Sequence, residues 1–266
     1  MNTKSPNRTL KVDFFLFLFF GLLIWISNII GQSSFPGNNM FPFIIRSLIL
    51  LFGLILSYYL NIKFSIKNLL IFKTLKFKSG IFKYYLSGIA LGCLLIATIW
   101  TIIYLIYPFE IIKNPYSKIN PVADIILYSL GNTLEELLFR GFILVASVKL
   151  VGKMGGVLFV SLLFGLFHLQ GTGLTVEGLS MVLTTFTMSL LFISVIYYTE
   201  SIWTAATLHI TGNILLHTFG FDGTNNGLFN IRFSASNVDG HIIILIYEIV
   251  VIAFALVIFR EGEKQK

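Results

Sequence analysis

Long apolar runs separated by short polar breaks dominate the chain. The runs cover about residues 12–30, 43–60, 84–107, 122–148, 157–169, 179–198, 202–219 and 242–259. At about 1.5 Å per residue, most of them approach the roughly 30 Å of a hydrocarbon core. Inside that core a lone segment satisfies its own backbone groups only as a helix. The pattern therefore predicts an all-α, polytopic transmembrane helix bundle of about eight spans, folded as a single integral domain over 1–266. Turn residues fall in the breaks: Pro36 and Gly37 after the first run, Pro108, Pro115 and Pro121 after the third, and Gly152, Gly155 and Gly156 after the fourth. Lys4, Arg8 and Lys11 precede the first run, but no small-x-small cleavage site closes it, so it reads as an uncleaved span. Gly88 and Gly92 lie four apart in the third run, a weak signal for close helix contact.

Composition reinforces the pattern. Of 266 residues, 56% are hydrophobic and 12% charged, and the mean hydropathy is +0.87, which excludes a soluble domain. The net charge of +7 would suggest nucleic acid in a soluble protein. Here the cations sort by side instead. Lys4, Arg8, Lys11, Lys63, Lys67, Lys73, Lys76, Lys78, Lys83, Lys149, Lys153, Arg260, Lys264 and Lys266 fall in alternate breaks or at the ends, whereas the other breaks hold only Lys113, Lys118 and Arg232. By the positive-inside rule both termini are cytoplasmic, the partner of the surface is the lipid bilayer, and no nucleic acid is implied. The single cysteine, Cys93, sits in an apolar run without an ionisable neighbour and reads as packing.

One stretch breaks the apolar pattern from within: Gly131-Asn132-Thr133-Leu134-Glu135-Glu136-Leu137-Leu138-Phe139-Arg140-Gly141. A charge at the bilayer centre costs about 2.5–3.5 kcal/mol even on a lenient scale, so these three must face a cavity or one another. On a helix Glu136 and Arg140 share a face, while Glu135 points about 100° away. The spacing predicts a structural carboxylate, Glu136, neutralised by Arg140, and a free one, Glu135, available for chemistry. The alternative is a packing salt bridge. His168 ends Phe164-Gly165-Leu166-Phe167-His168, and His209 and Asn213 lie four apart on the face of another span. Counting along the spans puts Glu135, His209 and Asn213 near mid-depth, with His168 somewhat outward. Imidazole and carboxylate groups of this kind are the usual ligands of zinc, and such a set leaves a position for a reactive water. The motif-bearing core covers about 122–220.

These three stretches resemble the EExxxR, FxxxH and HxxxN motifs of the CPBP intramembrane proteases, a family of CAAX proteases and bacteriocin-processing enzymes also called Abi proteins. The resemblance spans about residues 132–213, with the motifs in the family's order. It implies Glu135, His168, His209 and Asn213 as the catalytic set, supported by Glu136 and Arg140. Glu135 would activate water, His168 would help to hold it, and His209 and Asn213 would bind metal or stabilise an oxyanion. Family members are described as metalloproteases, which implies a divalent metal, Zn2+, held by Glu135, His168 and His209. The implied activity is an intramembrane endopeptidase acting on a membrane-embedded peptide or a prenylated protein substrate. The Ile-, Phe-, Lys- and Asn-rich composition looks bacterial, which points to a multi-pass protein of the plasma membrane and a role in bacteriocin self-immunity or peptide processing. Other protease signatures are absent: there is no HExxH helix, and Gly171-Thr172-Gly173 is followed by Leu174 rather than an aspartate. Two further readings stand beside the protease: a catalytically silent immunity or scaffold protein, and a transporter that relays protons through the buried ionisable groups.

Overall fold

The computed structural model describes residues 40–63, 80–117, 120–169, 173–221 and 227–264. The expected first span and residues 64–79 of the lysine-rich loop lie outside these residues. Among them are α1 (Met40–Lys63), α2 (Ile81–Ile106), β1 (Phe109–Lys113), α3 (Pro121–Glu136), α4 (Leu144–Phe167), α5 (Val176–Thr199), α6 (Ile202–Thr218), β2 (Phe229–Phe233) and α7 (Gly240–Lys264). A π-helical segment, Leu137–Ile143, joins α3 to α4. Helices α2, α5 and α7 are long and apolar enough to cross a membrane, and α4 is so only when its whole length is counted across Gly152. The chain is an all-α membrane bundle.

Local chemistry fixes where the site-bearing helices begin. Asn120 caps α3 by accepting from the Ala123 N–H at 3.2 Å, Pro121 occupies the first turn, and Asp124 faces the positive end of the helix dipole. Thr175 caps α5 in the same way, accepting from the Gly178 N–H at 3.1 Å. Within α4 the backbone leaves helical geometry at Gly152, whose φ of 80° and ψ of 171° suit glycine. A Cβ on Gly156 would lie 2.6 Å from the Val148 nitrogen. Eight residues of straight helix span about 12 Å, so the chain must turn back on itself here. The glycine cluster is therefore a reversal, as the sequence predicted, and α4 is two antiparallel arms rather than one crossing.

The two ends of the bundle are tied differently. At one end Lys153, beside the Gly152 turn, pairs with Glu263 near the end of α7, and Gly262 packs against Tyr198 at the end of α5. At the other, β1 and β2 form an antiparallel ribbon in which Phe109 faces Phe233 and Glu110 faces Arg232. The hydropathy pattern leaves these strands as plain loops. Nearby, Trp100 contacts Phe219 and Phe221 with ring centroids 4.7 and 5.1 Å apart.

Two apolar cores fill the interior. One, around Leu95, Ile99, Leu191, Val195, Leu208 and Val251, joins α2, α5, α6 and α7. The other, including Leu50, Leu134, Phe139, Val160, Phe164 and Ile193, joins α1 and α5 to the α3–α4 arms. Outward faces carry exposed apolar residues such as Leu94, Leu105, Leu245 and Leu256, as a lipid-facing surface requires. Cys93 is exposed on that surface and does not pack internally, contrary to the expectation from sequence. Gly88 and Gly92, by contrast, serve a closer contact than their spacing alone could establish. A Cβ on Gly88 would stand 2.5 Å from the Thr204 carbonyl oxygen, and one on Gly92 2.8 Å from the Thr211 Cβ, so α2 lies directly against α6.

Candidate active site

The charged stretch straddles the junction between α3 and the π-helical segment. Glu135 and Glu136 end α3, and Arg140 lies in the wider π turn, a distortion that often marks functional positions. Arg140 donates from Nη1 to Glu136 Oε1 at 3.0 Å, and both side chains are fully buried. Phe164 lies 4.1 Å and Phe192 5.1 Å, centroid to Cζ, from the guanidinium, so aromatic faces supply part of the stabilisation that water would give elsewhere. The pairing expected from the i,i+4 spacing is therefore present, and it lies within one continuous helical segment.

The same carboxylate has a second partner. His209 of α6 donates from Nδ1 to Glu136 Oε1 at 3.0 Å, across 73 positions of sequence. That bond fixes the imidazole as the Nδ1–H form when neutral and leaves the Nε2 lone pair free. Phe192 stacks on the ring at 4.6 Å and holds its plane. The Nε2 atom then faces Glu135 Oε2 at 4.0 Å. Glu135 keeps 26% of its side chain exposed, whereas Glu136 keeps none. Thus one glutamate serves structure and orients the histidine, and its neighbour is accessible.

His168 occupies the end of α4, where its Nδ1 donates to the Phe164 carbonyl at 2.7 Å. Its ring packs on Phe164 at 4.6 Å, and the opposite neighbours of Phe164 include the His209 ring at 6.1 Å. His168 and His209 therefore share one aromatic support. Asn213 follows His209 by one turn on α6 and is half-buried. Among the described residues, no group of three or more His, Cys, Asp or Glu side chains stands close enough together to hold a metal ion. Glu135 and His209 approach each other; the zinc set expected from sequence also needs His168, which is not grouped with them among the described residues.

Residues 118–215 match the family model described as Type II CAAX prenyl endopeptidase Rce1-like. This segment is similar to the CPBP/CAAX protease family. No curated protein and no solved structure matches the chain. The matched segment contains Glu135, Glu136, Arg140, His168, His209 and Asn213. The sequence singles out all six residues but not the His209–Glu136 bond. Its only sequence signal is that both residues are buried polar groups in need of partners, which names no pair. His217, one turn beyond Asn213 on α6, lies 3.7 Å from Asp124, so this pair ties α3 to α6 beyond the site. Glu248 of α7 is buried and accepts from Thr187 of α5, away from the motif residues, as a packing role requires.

Proposed function

We propose that the chain is an intramembrane endopeptidase in which Glu135 is the general base and His209 the second acceptor for the attacking water. The observation that carries this reading is the 4.0 Å separation of Glu135 Oε2 and His209 Nε2, with His209 Nδ1 engaged by Glu136. Two acceptors at that spacing are too far apart to bond directly, but a single water about 2.8 Å from each donates one hydrogen to each. Glu135 then takes a proton as the water oxygen attacks the scissile carbonyl carbon. The tetrahedral oxyanion forms beside Asn213, whose carboxamide donates to it. Collapse breaks the C–N bond, and Glu135 returns the proton to the departing amine. Throughout, Glu136 holds the tautomer and orientation of His209, and Arg140 balances the Glu136 charge. His168 supports the wall shared with Phe164. Zinc assistance by Glu135, His168 and His209 is not part of this sequence of steps, because the three donors do not converge.

The family description and the apolar surroundings support a membrane-embedded peptide as substrate, including a prenylated C-terminal segment, and the composition supports a bacterial plasma membrane as its setting. Bacteriocin self-immunity or peptide maturation is the corresponding role. We propose eight spans with both termini cytoplasmic, supported by the cation asymmetry and by the grouping of Lys153 with Glu263 at one end of the bundle. Reporter fusions test this arrangement, and an external signal from the Lys63–Lys83 loop overturns it. The catalytic reading is tested by complementation and peptide cleavage with Glu135→Gln at matched membrane abundance. Loss of both at normal folded yield supports it. Wild-type function from that variant leaves the silent scaffold as the better account.

A further inference from the structure

Asn132 is 5% exposed, and its Nδ2 has no hydrogen-bond partner among the described residues. A buried amide N–H without a partner is costly, and a bound peptide carbonyl is a group that would satisfy it. Helix geometry places Asn132 one turn before Glu136, about 6 Å along α3 and rotated by roughly 40°. It therefore lies on the face that Glu136 turns towards α6. The register between these helices is antiparallel: Asp124 and Tyr128 meet His217, while Glu135 and Glu136 meet His209. Carried through, that register sets Asn132 opposite Asn213. Gly131 has the same relation to Glu135, one turn before it on a shared face. A Cβ on Gly131 would meet no heavy atom within 4 Å, so the approach to Glu135 along α3 is open space rather than packed side chains.

We propose that Asn132 is a substrate-binding residue, donating Nδ2–H to a main-chain carbonyl of an extended peptide that reaches Glu135 over Gly131. An extended peptide rises about 3.3 Å per residue, so the carbonyl bound by Asn132 lies about two residues from the bond facing Glu135 and His209. The inference rests on the peptidase reading for the chemistry that follows binding, but binding itself is separable from it. Gly131 matters as room for the chain, and Asn132 as the donor that fixes its register.

The test uses a fluorescent farnesylated CAAX-type peptide and the full chain in lipid nanodiscs. Binding is read by anisotropy in the Glu135→Gln background, which removes turnover, with and without Asn132→Leu or Gly131→Leu. Cleavage is read in the Glu135 background. Asn132→Leu should weaken binding about tenfold, the loss of one neutral hydrogen bond, while its Tm is unchanged or higher because an unpaired amide has gone. Gly131→Leu should weaken binding at least as much by filling the approach. If Asn132→Leu fails to fold, Asn132→Ala and Asn132→Ser replace it. Unchanged affinity in a folded Asn132 variant overturns the inference, as does failure of the peptide to bind. Asn132-dependent binding without wild-type cleavage sustains it and overturns the peptidase reading instead.

Discussion

Gly88 is remote from the reacting groups, yet its replacement should disable the site. In Gly88→Ala the new Cβ would stand 2.5 Å from the Thr204 carbonyl oxygen and would also overlap the Thr207 hydroxyl. Thr207 donates that hydroxyl to the Trp203 carbonyl at 2.9 Å, so it is not free to swing away. Ordinary contact begins at 3.4 Å, and the backbone of α2 must therefore withdraw from α6 by about 0.9 Å. Overpacking of this kind costs about 1–3 kcal/mol. The same helix carries His209, whose bond to Glu136 and spacing to Glu135 depend on where α6 sits. A misplacement near 1 Å costs on the order of 100-fold in rate. Gly92→Ala should be milder, since its closest contact is a threonine side chain at 2.8 Å and its carbonyl contact is 3.3 Å. Gly240→Ala, which meets nothing within 4 Å, is the control. The assay pairs thermal unfolding in detergent with peptide cleavage in nanodiscs, and the expected severity is Gly88 above Gly92 above Gly240. Wild-type Tm and wild-type rate for Gly88→Ala would show that the α2–α6 contact does not position the histidine.

The remaining predictions concern the charged groups. Replacing either Glu136 or Arg140 strands a buried partner at a cost of about 3–5 kcal/mol, so folded yield should fall, whereas Glu135→Gln should fold normally and not cleave. Equal yields and equal residual activity for Glu135→Gln and Glu136→Gln would contradict this division. Glu135 and His209 act on one water, so the double replacement should be scarcely slower than either single one; additive losses would mean independent roles. Asn213→Ala should lose about 2.7–4 kcal/mol of transition-state stabilisation, read from kcat/KM at unchanged Tm. Dialysis against EDTA should leave cleavage intact, because two convergent donors make a poor zinc site; loss of activity restored by Zn2+ would require a third ligand.

What could be read from the sequence was local. Hydropathy over eighteen or more residues identifies helices such as α2, α5 and α7, because a segment in lipid must satisfy its own backbone. The Asn120–Pro121–Asp124 start of α3 and the Gly152 reversal follow from backbone chemistry within a few positions. The Glu136–Arg140 pair is of the same kind, since four residues always bring two side chains to one helical face. The partnerships between helices were not legible. Each added residue rotates a side chain by about 100°, so contact between α3 and α6 depends on the rotation and register of both. In a membrane, apolar faces meet lipid and protein equally well, so hydropathy cannot choose the face. Only the tertiary structure makes Glu136 the orienter of His209, sets Gly88 against Thr204, pairs β1 with β2 across more than a hundred residues, and leaves the buried Asn132 Nδ2 without a partner among the described residues.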